Sequence, residues 1–356
     1  MRFSHGVYPA LRRTVDRGLH RAVRSLHRFP SWPREVRSVQ VHRDIPYRPT
    51  FRRAHTLDVY CPAGPGPHPV LLHVHGGSFS MLSKDAMRFF ALVYARAGYV
   101  VVSINYRLGP RHRYPAPLED VSHALLWTLD HIQEFGGDPT QLGLVGESAG
   151  ANLVTSLAYL ATHRRPEPFA QLVFDRNPSI GAVLAIYGIF DLHDVERFYR
   201  DPKKARKLPR IAKLELAVSR SSYVGERPDL APLASPLRLL TEPPRPGDRP
   251  LPPFFLTVGT ADPLLDDSRR LQAALDRRGS PSELQIMVKQ LHGFNAMTWT
   301  AASRAKWRAA LAFLDRHLPA KAPHPPLIHQ RKRARVKTTR TLVFDRHLSR
   351  APIKSP

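Results

Sequence analysis

A lone serine, Ser148, stands between Gly146 and Gly150 in the stretch LGLVGESAGANLV. An apolar run precedes it and a helical pattern comes after it, so the serine is predicted to lie at a sharp strand-to-helix turn. Glycine on both sides suits such a turn, because the backbone is strained there and neighbouring chain passes close. The helix N-terminus after the serine offers unpaired N–H groups and the positive end of a dipole. These features predict a nucleophilic serine at the carboxyl edge of a sheet.

A serine hydroxyl is a weak nucleophile, so it needs a base, and the base needs an acid to orient it. Where the serine occupies this kind of turn, the acid and then the histidine come after it along the chain. Asp262 comes directly after the apolar stretch FFLTVG, and His292 comes after ELQIMVKQ. Asp266 and Asp267 are rival acids, but they fall about a turn into a predicted helix and are expected to be surface or capping charges. The sequence therefore predicts Ser148, Asp262 and His292 as a catalytic triad.

Acyl transfer also needs hydrogen-bond donors aimed at the tetrahedral oxyanion. The stretch HVHGGSF comes after a predicted buried strand, and its glycines allow the backbone to turn N–H groups into a site. We predict the amides of Gly77, Ser78 and Ala149 as donors, with Gly76 shaping the turn.

Two histidines in the same stretch, His73 and His75, alternate as metal ligands on a strand do. No third ligand cluster accompanies them in the sequence, so we predict no metal site.

Strands and helices alternate along most of the chain. The predicted strands are TLDVYCP, VLLHVH, YVVVSINY, LGLVG, IGAVLAIYGIF, FFLTVG and ELQIMVKQ, and helical patterns separate most of them. Near-continuous apolar strands that alternate with helices indicate a mostly parallel sheet covered by helices on both faces. The predicted fold class is therefore α/β, with the serine, the acid and the histidine at one sheet edge.

Three parts of the chain are expected. Residues 1–43 form a basic N-terminal arm, in which an apolar stripe predicts an amphipathic helix for a lid or cap, or for a membrane interface. Residues 44–319 form the catalytic domain, with a charged and proline-rich cap insertion at about 190–253. Residues 320–356 lack periodicity and are expected to be a basic, disordered tail.

The 356 residues are 42% hydrophobic, which suffices for a sizeable core, and carry a net charge of +25. Most of that charge is terminal: segment 1–43 has ten arginines against Asp16 and Glu35, and segment 321–356 has ten lysines and arginines against Asp345. Such runs are usually solvated surface, although they also suit peripheral contact with anionic lipid or another polyanion. No specific nucleic-acid partner is predicted.

The sequence carries few signals of the cellular compartment in which the protein resides. Cys61 is the single cysteine, so no intrachain disulfide forms and the redox environment is undetermined. Arginines interrupt the N-terminal apolar residues, and no stretch of about 18 uncharged apolar residues exists, so neither a signal peptide nor a spanning helix is expected. A cytoplasmic location, with membrane association as an option, is the default expectation.

Four stretches, in order, resemble the hormone-sensitive-lipase-like branch of the α/β-hydrolases, a family of carboxylesterases and lipases. They are HGGSF; NYRLGPRHRYPAPLEDV through GGDP; GESAGAN; and DPLLDD followed by HGF. The resemblance covers about Thr56 to Leu318. It implies the α/β-hydrolase fold with a helical cap built partly from the N-terminal helix, and ester hydrolysis without a cofactor. It also implies the same triad.

The chain departs from the family pattern at two positions. Ser78 stands where the family often has a third glycine, but its amide is retained. Glu147 replaces the more frequent aspartate beside the nucleophile, a change that related esterases tolerate. The basic tail has no counterpart in the pattern.

The expected function is a serine carboxylesterase that acts on small-molecule esters with short to medium acyl chains. An amide or formamide hydrolase, or an acyltransferase, would use the same residues and differ in the pocket. A non-catalytic binding protein is the alternative from another class, since hormone receptors similar to these esterases lack the catalytic histidine. The present sequence retains His292.

Overall fold

The computed structural model describes residues 39–50, 52–226, 229 and 231–320, together with the isolated Gly18. Eight strands form one sheet: β1 Gln40–Pro46, β2 Thr56–Cys61, β3 His68–Val74, β4 Val100–Ile104, β5 Gly137–Glu147, β6 Ile180–Ile186, β7 Phe254–Gly259 and β8 Ser282–Met287. Their order across the sheet is β1-β2-β4-β3-β5-β6-β7-β8. Strands β3 to β8 pair in parallel, whereas β1 and β2 are antiparallel to their neighbours. The predicted mostly parallel sheet is confirmed.

Strand β1 was not expected from the sequence. Its residues, QVHRDIP, are mostly polar, and each of them is either half-buried or exposed. An edge strand needs few apolar residues because it is not covered on both faces, so it lacks the pattern of a central strand. A buried Lys84 ammonium ties this edge to β2, at 2.7 Å from Oδ1 of Asp44 and 2.6 Å from Oδ1 of Asp58.

Nine α-helices occur within the described residues: α1 Arg88–Arg96, α2 Ala116–His131, α3 Ala149–Thr162, α4 Pro168–Arg176, α5 Pro202–Lys207, α6 Arg210–Tyr223, α7 Pro236–Thr241, α8 Leu265–Arg277 and α9 Ala301–His317. Helix α4, which packs beside α2 and α3, was also not expected from the sequence. None of the described helices is both long and apolar enough to cross a bilayer.

Apolar side chains from alternate positions of the strands enter two separate cores. In β3, Leu72 and Val74 belong to the core on one face, while Leu71 belongs to the core on the other. Helices α2, α3, α4 and α8 supply the first core, and α1 and α9 supply the second. Helices therefore cover both faces, as the fold class predicted.

Residues 187–253 connect β6 to β7 and contain α5, α6 and α7. This is the segment expected to form the cap insertion, and its role as a cap stays a prediction. The N-terminal helix expected within 1–43 and the tail expected at 320–356 lie almost entirely outside the described residues.

Candidate active site

Ser148 lies between the end of β5 and the start of α3, with φ 54° and ψ −114°. A non-glycine residue adopts a positive φ at a cost, so the surrounding structure must hold it there. The Ser148 amide donates a hydrogen bond of 2.9 Å to the carbonyl oxygen of Ile186 in β6. The serine thus occupies the strained strand-to-helix turn that the sequence predicted.

The flanking glycines leave no room for a side chain. A Cβ added at Gly146 would lie 2.3 Å from the carbonyl oxygen of Gly150, and one added at Gly150 would lie 2.0 Å from that of Val74. Both neighbours are backbone atoms, which cannot rotate away as a flexible side chain could. The tight crossing of β3, β5 and α3 therefore requires glycine at both positions.

Three predicted side chains meet at the carboxyl edge of the sheet. Nε2 of His292 lies 3.0 Å from Oγ of Ser148, and its Nδ1 lies 2.9 Å from Oδ2 of Asp262. The other carboxylate oxygen of Asp262 accepts a 2.9 Å hydrogen bond from the amide of Leu264. The aspartate is only 4% exposed, whereas the His292 side chain is 23% exposed. The imidazole therefore bridges a buried acid and a half-buried serine.

The charge around His292 favours its protonated form. Burial lowers the pKa of the imidazole, but the negative charge of Asp262, the hydrogen bond to that carboxylate and the charge of Glu215 outweigh the burial. The pKa of His292 is therefore raised above its ordinary value. An imidazole with this balance is suited to accept a proton and to hold it.

The loop after β3 carries the predicted oxyanion residues. A Cβ added at Gly76 would lie 2.7 Å from the carbonyl oxygen of Glu147. Gly77 has φ 112°, and the next residue, Ser78, has φ 51°. Successive residues with positive φ turn the backbone sharply at this point of the loop. Ala149 is the first residue of α3, so its N–H is one of the unpaired groups at the helix N-terminus.

Neighbouring elements hold this loop in place. The amide of Met81 donates to the carbonyl oxygen of Gly77 at 3.0 Å, and the amide of Gly109 donates to that of Phe79 at 2.8 Å. The Tyr106 hydroxyl donates a 2.9 Å hydrogen bond to the carbonyl oxygen of His75, and the two rings stack at 4.3 Å.

Neither rival acid is paired with His292, whose carboxylate partner is Asp262. Asp266 is exposed. Asp267 is fully buried, accepts a 2.8 Å hydrogen bond from the Phe190 amide and forms an ion pair with Arg197. The expectation of a surface or capping charge was therefore wrong for Asp267, which anchors the start of the segment between β6 and β7. A charged residue within a helical pattern does not reveal an ion-pair partner from a distant part of the chain.

A buried polar group was not predicted from the sequence. It lies behind the strand-to-helix turn at Ser148, which we call the elbow, on the face covered by α1 and α9. Oε2 of Glu147 lies 2.9 Å from Nε2 of His73. The Lys306 side chain is fully buried, and its ammonium lies 3.8 Å from the centre of the Trp307 ring. Burial lowers the pKa of Lys306 to about 7, although the charge of Glu147 acts the other way. Only the apolar stripe of α9 was visible in the sequence.

His73 is thus engaged with a carboxylate, and His75 packs on Tyr106. Within the part of the chain that the structure describes, no group of three or more His, Cys, Asp or Glu side chains is placed to hold a metal ion.

Comparison with known proteins places the chain among a large set of relatives. The profile of a family described as alpha/beta hydrolase fold matches residues 71–296. Esterase LipQ of Mycobacterium tuberculosis is 31% identical over 278 residues, which are 76% of this chain and 61% of LipQ. Esterase LipC of the same organism is 30% identical, over 65% of this chain and 54% of LipC. The chain therefore spans less than two thirds of these two relatives.

Carboxylesterase NlhH of Mycobacterium tuberculosis is 30% identical over 71% of this chain and 75% of NlhH. Among solved structures, esterase LipW from Mycobacterium marinum superposes with a TM-score of 0.68 at 23% identity, covering 88% of this chain and 91% of LipW. A hyperthermophilic esterase from Pyrobaculum calidifontis gives a TM-score of 0.67 at 24% identity, covering 85% and 90% of the two chains. At these identities the two structures establish the shared fold.

Proposed function

This chain belongs to the α/β-hydrolase fold family, and on that premise we propose that it is a serine carboxylesterase. The observation that carries the proposal is the continuous set of contacts from Asp262 through His292 to Ser148. The strained position of the serine and the amide-rich loop beside it support the same chemistry. Relatives named esterase or carboxylesterase support carboxylic ester hydrolysis as the reaction class.

In the proposed reaction, Oγ of Ser148 attacks the ester carbonyl carbon while Nε2 of His292 takes the hydroxyl proton. Asp262 accepts the hydrogen bond from Nδ1 and stabilises the imidazolium. The C–O bond to the alcohol then breaks, and the leaving oxygen takes the proton from His292. Water repeats the sequence: His292 removes its proton, the hydroxide attacks the acyl carbon, and the acid leaves as Oγ recovers its proton.

We assign stabilisation of the oxyanion to the amides of Gly77, Ser78 and Ala149. Two of these groups lie on the loop after β3, and the third lies at the N-terminus of α3, where the helix dipole adds positive potential. The close approach of Gly76 to the carbonyl oxygen of Glu147 sets the distance between the loop and the elbow. Loss of one such donor typically costs about 10²–10³-fold in turnover.

Hydrolysis of p-nitrophenyl esters from acetate to palmitate, beside the matched p-nitroanilides, tests the function. We expect ester turnover that exceeds anilide turnover, with the optimum at short to medium acyl chains. Faster anilide hydrolysis would favour the amide hydrolase, and acyl transfer to an added alcohol in preference to water would favour the acyltransferase. Absence of turnover on every substrate would contradict the proposal.

We also propose, separately, that the basic segments 1–43 and 320–356 contact anionic surfaces. Salt-sensitive cosedimentation with anionic vesicles, weakened when 320–356 is deleted, is the expected result. Unchanged binding in the truncated protein would reject a role for the tail.

A further inference from the structure

One face of α6, in the segment between β6 and β7, is directed into the protein. Ala212, Leu216 and Ser219 succeed each other at steps of four and three, and all are buried. Glu215 belongs to the same face, because it lies three residues after Ala212 and four before Ser219. It is half-buried rather than exposed. A carboxyl group on the buried face of an amphipathic helix calls for a functional or structural partner.

The C-terminal end of α6 is fixed against the proposed oxyanion loop. The Tyr223 ring stacks on that of Phe79 with centroids 4.1 Å apart. A Cβ at Gly109 would lie 1.9 Å from the carbonyl oxygen of Ser222, which shows how closely the helix approaches the loop after β4. Ser222 lies seven residues after Glu215, two helical turns away on nearly the same side. The helix therefore carries Glu215 on the side that faces the carboxyl edge of the sheet.

The electrostatics agree with this placement. Burial and the negative charge of Asp262 raise the pKa of Glu215, and the charge of His292 lowers it. Glu215 in turn contributes to the raised pKa of His292. Among the residues that the structure describes, Glu215 has no hydrogen-bond or ion-pair partner. A partly desolvated carboxylate without a cation is costly, and a nearby positive charge relieves that cost.

We propose that Glu215 forms a recognition subsite for a positively charged group of the ester substrate, such as a substituted ammonium on its alcohol or acyl part. This inference rests on the proposed esterase function and names a substrate class for the same site. A cation bound beside Glu215 supplies the partner that the carboxylate lacks among the described residues, and its attraction is strengthened where water is partly excluded. The same charge disfavours esters that carry a second, ionised carboxyl group.

The test compares two esters of nearly equal shape, acetylcholine and its uncharged carbon analogue 3,3-dimethylbutyl acetate. We measure kcat/KM for each ester at a pH of about 8 with the wild type, Glu215→Gln and a control, Glu134→Gln. Glu134 is exposed and lies just before β5, at the opposite end of that strand from Ser148. The ratio of the two kcat/KM values does not depend on the fraction of protein that is folded. A poorly folded variant therefore still gives the preference for the charged ester over the uncharged one.

The wild type should prefer the charged ester, and Glu215→Gln should reduce the preference by about tenfold, which corresponds to about 1.4 kcal/mol. Glu134→Gln should leave the ratio unchanged. Equal ratios in the wild type and Glu215→Gln, with both esters hydrolysed, would overturn the subsite and leave the esterase intact. If the wild type hydrolyses neither these esters nor the p-nitrophenyl series, the proposed function itself fails.

Discussion

At the scale of single residues, the behaviour of His292 depends on the acids that face it. The imidazole must be neutral to take the proton of Ser148, so activity rises as pH increases through its pKa. Because Asp262 and Glu215 raise that pKa against the effect of burial, the acidic limb of kcat/KM is expected above the ordinary pKa of histidine.

Replacement of Asp262 with asparagine removes both the charge and the correct orientation of the imidazole. We expect a fall of about 10⁴-fold in kcat, as in other serine triads. Without the carboxylate, the pKa of His292 falls, so the acidic limb of the residual kcat/KM should move to lower pH. The pH–rate profile measures both effects.

Asp266→Asn is the matched control, since this exposed aspartate lies four residues away at the start of α8. It should keep the wild-type rate and limb. A small effect of Asp262→Asn, or an equal effect of both substitutions, would contradict the assigned role of Asp262.

The three side chains that meet at the sheet edge could be predicted together from the sequence because a triad of this kind is tied to chain order. Ser148, Asp262 and His292 each come after a strand, and parallel strands bring the residues at their carboxyl ends to one edge of the sheet. Glu215 and Lys306 have no such signal. Each is one charged residue in a helix, and only the packing of that helix shows which way it points.

At the scale of secondary-structure elements, the elbow depends on three backbone segments in near contact. Gly150→Ala would place a methyl group 2.0 Å from the carbonyl oxygen of Val74, so α3 or β3 must shift. We expect a loss of about 1–3 kcal/mol in the free energy of unfolding, and a fall in kcat because Ser148 moves from His292. Denaturant unfolding and ester hydrolysis measure the two effects.

Gly64→Ala provides the comparison. Gly64 has φ 100° but nothing within 4 Å of an added Cβ, so its cost is confined to backbone strain of about 1–2 kcal/mol. It should lower stability while kcat is retained. Full activity in Gly150→Ala would contradict the claim that the close approach at Gly150 positions Ser148.

Elements with a strong apolar pattern were predicted from the sequence, and those without one were not. The buried strands β3 and β4 and the long helix α2 show clear signals, because burial on a known face dictates their composition. The edge strand β1 and the short helix α4 are stabilised by position in the fold, through backbone pairing and packing. The composition of these two elements therefore gives little indication of their secondary structure.

At the scale of the whole molecule, the segment between β6 and β7 connects distant parts of the site. It begins where Phe190 is held by Asp267, and its helix α6 ends against the loop that bears Gly77 and Ser78. This one segment therefore contacts both α8, which comes after the proposed catalytic acid, and the loop after β3, which carries the proposed oxyanion donors. Sequence composition predicted an insertion here, but the polar and proline-rich residues could not reveal its anchors.

The proposed mechanism requires Ser148 to become the acylated nucleophile. Stoichiometric labelling with diethyl p-nitrophenyl phosphate, followed by peptide mass spectrometry, tests this requirement on the wild type and Ser148→Ala. We expect one phosphoryl group per chain, on the peptide that contains Ser148, with esterase activity lost in proportion to labelling. In Ser148→Ala we expect no label and a turnover lower by at least roughly 10⁴-fold. Labelling at another residue, or near-wild-type activity in the variant, would contradict the mechanism.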